Sequence, residues 1–119
     1  MELITILLQI AISIGIFNVW LLRSGRPTRY RGTDATSLQL EFVAYGLPIW
    51  SFYLIGTLKL TAATLLLVGL GFPALIQPAA ILIAVLMLGA VLMHAKVRDR
   101  AIQYLPASIM LIMSLLLLI

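Results

Sequence analysis

Four stretches of about twenty apolar residues each run through this chain, and they leave few folds open to it. They are residues 3–22, 48–70, 74–95 and 101–119, and Lys59 is the one Lys, Arg, Asp or Glu inside them. At 1.5 Å per helical residue, each is about long enough to cross the hydrocarbon core of a bilayer. Composition agrees. The chain is 63% hydrophobic and 10% charged, where soluble domains hold about 45–50% and about 25%. A mean hydropathy of +1.16 excludes a soluble globular domain and intrinsic disorder alike. The expected fold is all-α: a polytopic four-helix membrane bundle forming a single membrane domain over residues 1–119. Residues 23–47 are expected to supply a polar loop and a short amphipathic helix.

The first stretch begins with Glu2 and ends in Trp20-Leu21-Leu22-Arg23. A signal peptide begins basic and ends at a small-residue cleavage site, so this reads as a retained span. The loop after it carries Arg23, Arg26, Arg29 and Arg31, with Gly25, Pro27 and Gly32 as breakers. Thr36 and Gln39 have capping-box spacing at the head of a helix over residues 36–45. Its apolar face is Leu38, Phe42 and Tyr45, with Glu41 at the edge. It can lie along the interface or dock on the bundle. Gly46 and Pro48 mark the turn that follows.

Seven of the eight Lys and Arg lie in the first loop and in residues 96–100. By the positive-inside rule both loops are expected in the cytoplasm and both termini outside. Basic residues flanking spans set topology, so the +4 net charge does not point to nucleic acid.

Lys59 is the most informative residue. A lysine at mid-bilayer costs about 2.5–3.5 kcal/mol on insertion scales and marks a site by default. Gly56 and Ala63 share its face, and small residues let helices approach closely. It is expected to point into the bundle, either paired for packing or holding an anionic or quinone-like head group. Glu41 is the best-placed carboxylate to pair with it, since Asp34 and Asp99 sit in loops and Glu2 at a span end. On the first span, Glu2, Thr5, Gln9, Ser13 and Trp20 fall within about 40° of one direction on a helical wheel. Ala11, Gly15 and Asn18 form a small, polar strip opposite. Such a helix is expected to show little surface to lipid. Its polar side chains either bond neighbouring helices or line a cavity with Lys59.

Thr57, Thr61 and Thr64 align at helical spacing, with hydroxyls able to bond their own backbone. His94, the one histidine, ends the third span. It reads as an interfacial or hydrogen-bonded residue, with proton relay as the alternative. Met87, Met93, Met110 and Met113 suit soft packing, and Trp20, Trp50, Tyr45 and Tyr53 an aromatic belt. With no cysteine, thiol redox chemistry, Cys-ligated zinc and iron–sulfur clusters are excluded. One histidine cannot supply bis-histidine haem ligation, and no metal site is expected. Small multidrug exporters share the size but rely on an acidic residue within the first span, where this chain has Gln9.

Gly56-x-x-Lys59-x-x-x-Ala63-x-x-Leu66-x-x-Gly69 resembles the second-span signature of the DoxX and DoxX-like membrane family. The family's charged position is commonly Glu in the core group and often Lys in DoxX-like members. Met87, Ala90 and His94 resemble its Met-x-x-Ala-x-x-x-His ending. The order of elements, one span, a polar loop and three closely spaced spans, is also similar. The resemblance implies a four-helix membrane bundle. Some members are subunits of thiosulfate:quinone oxidoreductase, others associate with oxidative-stress enzymes, and eukaryotic relatives resemble receptor-assembly chaperones. Lys59 stands where oxidoreductase-linked members tend to have Glu.

Two readings follow. In the first, the chain is an accessory or assembly subunit without catalysis of its own. It would bind other membrane subunits, or a second copy, through small faces at Gly15, Gly56, Ala63 and Gly69. In the second, it is an oxidoreductase-complex subunit holding a quinone or lipid around Lys59, Gln9 and Ser13. A sealed ion pair at Lys59 favours the first, an open apolar cavity the second. A homodimeric transporter ranks third, since it needs a continuous polar path between subunits. A bacterial inner membrane is the expected location.

Overall fold

A computed structural model describes residues 2–26, 28–32 and 35–119, without the side chain of Glu2. Pro27 and Asp34, and the Glu2 side chain placed on the first-span wheel, lie outside the described residues. The helices are α1 (Glu2–Phe17), α2 (Leu38–Ala44), α3 (Ile49–Val68), α4 (Ile76–Lys96) and α5 (Ala101–Leu118). All but α2 lie in segments long and apolar enough to cross a membrane. They match the four apolar stretches to within about two residues at each end, the usual uncertainty of a helix boundary.

Each boundary has a local cause. α1 continues through Asn18–Leu22 as a π-helical turn, closed by the Arg23 N–H donating to the Asn18 carbonyl at 2.9 Å. Ser37, not Thr36, caps α2: its hydroxyl accepts from the Leu40 N–H at 3.2 Å. The expected capping box is therefore displaced by one residue, and Leu40 at its third position cannot complete it. α2 ends in a Schellman motif. Gly46 takes a positive φ of 79°, and the Gly46 and Leu47 N–H groups donate to the Val43 and Phe42 carbonyls. The Lys96 ammonium bonds the Tyr45 carbonyl at 3.0 Å, a cation placed at the negative end of α2. Pro48 precedes α3, Pro73 opens a 3₁₀ turn before α4, and Arg100 N–H donates to Gln103 Oε1 at the head of α5.

The helices close a ring. α1 packs on α3 and α5, α3 on α4, and α4 on α5, while α2 rests on α3. The α1–α3 seam is antiparallel and its partners step in register. The Gln9 amide donates to the Leu66 carbonyl at 2.9 Å and the Ser13 hydroxyl to the Ala63 carbonyl at 3.0 Å. Two turns further, a Cβ on Gly56 would lie 2.6 Å from the Trp20 ring, so only glycine admits the indole there. Small residues elsewhere are also occupied inside the chain. A Cβ on Gly15 would strike Met110, one on Gly69 would meet Ile76 at 3.1 Å, and Ala63 is wholly buried.

Two further expectations change. α1 does face outward on one side, through Leu3, Leu7, Ala11 and Ile14. Trp20 and Tyr45 do not join an aromatic belt: they are 8% and 5% exposed, within the core. Trp50 and Tyr53, at 63% and 61%, stay on the surface. Of the aligned threonines, Thr57 and Thr64 bond the carbonyls four residues back within α3.

The seam should depend more on fit than on its hydrogen bonds. Gly56→Leu is expected to destabilise the fold by about 1–3 kcal/mol through overpacking. Ser13→Ala should cost about 0.6 kcal/mol, the average for such bonds in membranes. Unfolding in mixed micelles measures both, and equal losses would contradict this account.

Candidate functional site

The loop after α1 folds over one end of the bundle because its backbone carbonyls find a buried donor. Arg31 is 4% exposed. Its guanidinium bonds the carbonyls of Arg23 and Arg26 at 3.0 Å and approaches that of Ser24 at 3.4 Å. Its Nε lies 3.8 Å from Glu41 Oε2. Glu41 in turn accepts from the Gly32 N–H at 2.6 Å and from the Tyr45 hydroxyl. Gln103 Nε2 donates to the Arg31 carbonyl at 2.7 Å, which ties the loop to α5.

α2 seats this loop. Its face of Leu38, Phe42 and Tyr45 is buried, as the periodicity predicts, and it docks on the bundle instead of lying along the interface. Phe42 meets Trp20 at 5.8 Å and Phe52 at 5.6 Å, edge to face, while Trp20 and Phe52 lie 5.2 Å apart. Tyr45 reaches across to α4: its hydroxyl is 3.4 Å from His94 Nδ1. His94 Nδ1 also lies 2.7 Å from Asp99 Oδ2. His94 is therefore a buried, hydrogen-bonded residue, 6% exposed.

Beneath this cover lies a cavity of about 810 Å³. Ile16, Leu38, Ile55, Leu86, Met87 and Met110 supply apolar wall, and Asn18, Glu41, Tyr45, Lys59, His94 and Gln103 supply polar groups. Val85, 62% exposed, and the exposed Arg23 also line it, so it reaches the molecular surface. The size lies within the usual range for ligand sites, which are mostly apolar with a few polar groups.

Lys59 is 9% exposed and lines the cavity. It does not form the expected ion pair with Glu41, because Arg31 holds that carboxylate. Among the described residues Lys59 has no ion pair, and its Nζ lies 5.4 Å from the centroid of the Trp20 ring. A cation over an indole is stabilised, but by less than a counter-ion provides. Gln9 and Ser13 do not line the cavity, since both hydroxyl and amide are spent on α3 carbonyls. Gly15 and Asn18, from the opposite strip of α1, do line it. Arg31, Asp99 and Gln103 were not singled out by the sequence. Their partners are backbone carbonyls or residues across a turn, which no spacing rule marks. Among the described residues no group of His, Asp and Glu could hold a metal.

Burial pushes the Glu41 carboxyl above its ordinary range, against the Gly32 N–H, the Tyr45 hydroxyl, Arg31 and His94, which all favour the charged form. Burial also lowers Arg31 and raises Tyr45. A carboxyl raised on folding favours the folded state when protonated. That contribution is full below the ordinary carboxylate range of about 4.3 and fades as pH rises through the folded value. Glu41→Gln keeps an acceptor for Gly32 and removes the titration. The melting temperature of wild type relative to Glu41→Gln should therefore fall as pH rises above about 4. A difference that stays constant with pH would refute the assignment.

No curated protein and no solved structure matches this chain. Residues 30–117 match the family model described as the DoxX-like family. With four apolar helices able to span a bilayer, the chain is an integral membrane protein. The match covers α2 to nearly the end of α5 and with them Lys59, Glu41 and His94, so the chain belongs to the DoxX-like family.

Proposed function

We propose that this protein is a ligand-holding membrane subunit. It keeps an amphipathic molecule, a quinone or a lipid, in the cavity between its helices, with the polar head toward Lys59. The observation that carries this reading is the buried Lys59 side chain, without an ion-pair partner among the described residues, on the wall of a large and mostly apolar cavity. An ammonium largely withdrawn from bulk water and without a counter-ion is costly, and a bound acceptor in the cavity offsets that cost.

The subunit works beside other membrane chains or a second copy of itself, without catalysis of its own. The accessory-subunit reading loses one of its supports, since Gly15, Gly56 and Gly69 face groups of this same chain. The basic residues of 23–47 and 96–100 support a cytoplasmic position for both loops. Both termini then lie outside, in a bacterial inner membrane.

Native mass spectrometry of protein extracted gently in its own lipid tests the reading. Wild type should carry a bound small molecule or lipid that Lys59→Met loses. If neither form carries one and both keep the same protein partners, Lys59 is structural and the accessory-subunit reading takes its place.

A further inference from the structure

Among the described residues that line the cavity, one buried cation is left without an ion pair. Arg31 faces Glu41 at 3.8 Å. His94 faces Asp99 at 2.7 Å. Arg23 and Arg29 line the cavity at its exposed loop end, where water solvates them. Lys59 remains: more than nine-tenths buried, on the cavity wall, with no ion pair among the described residues. Glu41 cannot turn to it without releasing the Gly32 N–H and uncovering Arg31.

We infer that the cavity selects an amphiphile with a single negatively charged oxyanion head, a carboxylate or a phosphate, seated against Lys59. This rests on the ligand-holding reading and narrows it. A neutral quinone carbonyl would accept one hydrogen bond from Lys59 and leave its charge uncompensated. An oxyanion supplies both the acceptor and the counter-charge, and a buried charge is costly unless it is both hydrogen-bonded and paired. The exposed Arg23 and Arg29 add positive potential at the mouth, which favours the entry of anions. The indole of Trp20, 5.4 Å from Nζ, completes the head-group site. The apolar wall of Ile55, Met87 and Met110 accommodates a chain.

Trp20 makes the site directly observable. Trp50 is the other tryptophan and is 63% exposed, so Trp50→Phe leaves Trp20 as the single indole. In dodecyl maltoside micelles, energy transfer from Trp20 to cis-parinarate reports occupancy. Oleate, dodecyl phosphate, methyl oleate and decylubiquinone then compete, and decylubiquinone also reports directly by quenching Trp20.

Oleate or dodecyl phosphate should displace the probe at concentrations about tenfold below methyl oleate, which offers an acceptor but no counter-charge. Which of the two anions is stronger separates a carboxylate from a phosphate ligand. Lys59→Met should bring anion and ester to within about twofold, and Lys59→Arg should keep the gap. The wild-type ratio stands even if Lys59→Met does not fold. If methyl oleate or decylubiquinone matches oleate in wild type, or if decylubiquinone quenches Trp20 while parinarate does not bind, the oxyanion inference falls and the ligand-holding reading survives. If no probe reaches Trp20, both fall.

Discussion

Trp20 on Gly56 is the contact from which the rest of the arrangement extends. The missing side chain on α3 lets the indole of the first span lie against the helix backbone. From there the ring touches three things at once. It supports Phe42 of α2, packs on Phe52 of α3 and lies beside the Lys59 amine. Withdraw the indole and α2 loses its seat, and with α2 goes the loop that Arg31 and Glu41 hold down. A chain of this length has few side chains large enough to join three elements, and packing in bilayers relies on such close fits because the hydrophobic effect does not drive helices together there.

The polar groups divide into two populations with different work. Gln9 and Ser13 bond carbonyls across the α1–α3 seam and set the register of two antiparallel helices. Arg31, Glu41, Tyr45, His94, Asp99 and Gln103 form a second set at the loop end, in which Arg31, Glu41 and Gln103 bond the backbone of a segment with little regular structure and Tyr45, His94 and Asp99 bond one another. Buried backbone groups need such partners, so the second set is the means by which an irregular loop can close over an apolar cavity. Lys59 belongs to neither set.

Much of the fold is legible in residue order because hydrocarbon imposes its own length and polarity. The four spans and the docked face of α2 follow from runs and periods of apolar residues. The burial of Lys59 follows from its place in a span. The site is less legible. Gln9 and Ser13 look like cavity residues on a wheel, but their acceptors are main-chain carbonyls of another helix, which carry no residue-type signal. Arg31 is one of four arginines in the same loop, and nothing local separates it from Arg29. Trp20 resembles a belt residue by position, and only the opposing Gly56 decides that it turns inward. The cap of α2 falls on Ser37 instead of Thr36 because two adjacent hydroxyl residues offer the same chemistry.

The π turn at Asn18–Leu22 has a consequence for chains of slightly different length. A π turn holds one residue more than the α turn it replaces, so the segment works as an insertion that leaves both neighbours in phase. Upstream, Gln9 and Ser13 keep their bonds to α3; downstream, Arg23 leaves at the angle that brings its carbonyl to Arg31. A related chain one residue shorter between Phe17 and Arg23 would close as plain α-helix with the residues on either side still in phase. Its loop would then approach the bundle from the same side, and its cavity would keep the same walls. Spacing across this turn can therefore differ by one residue between relatives that share this cavity.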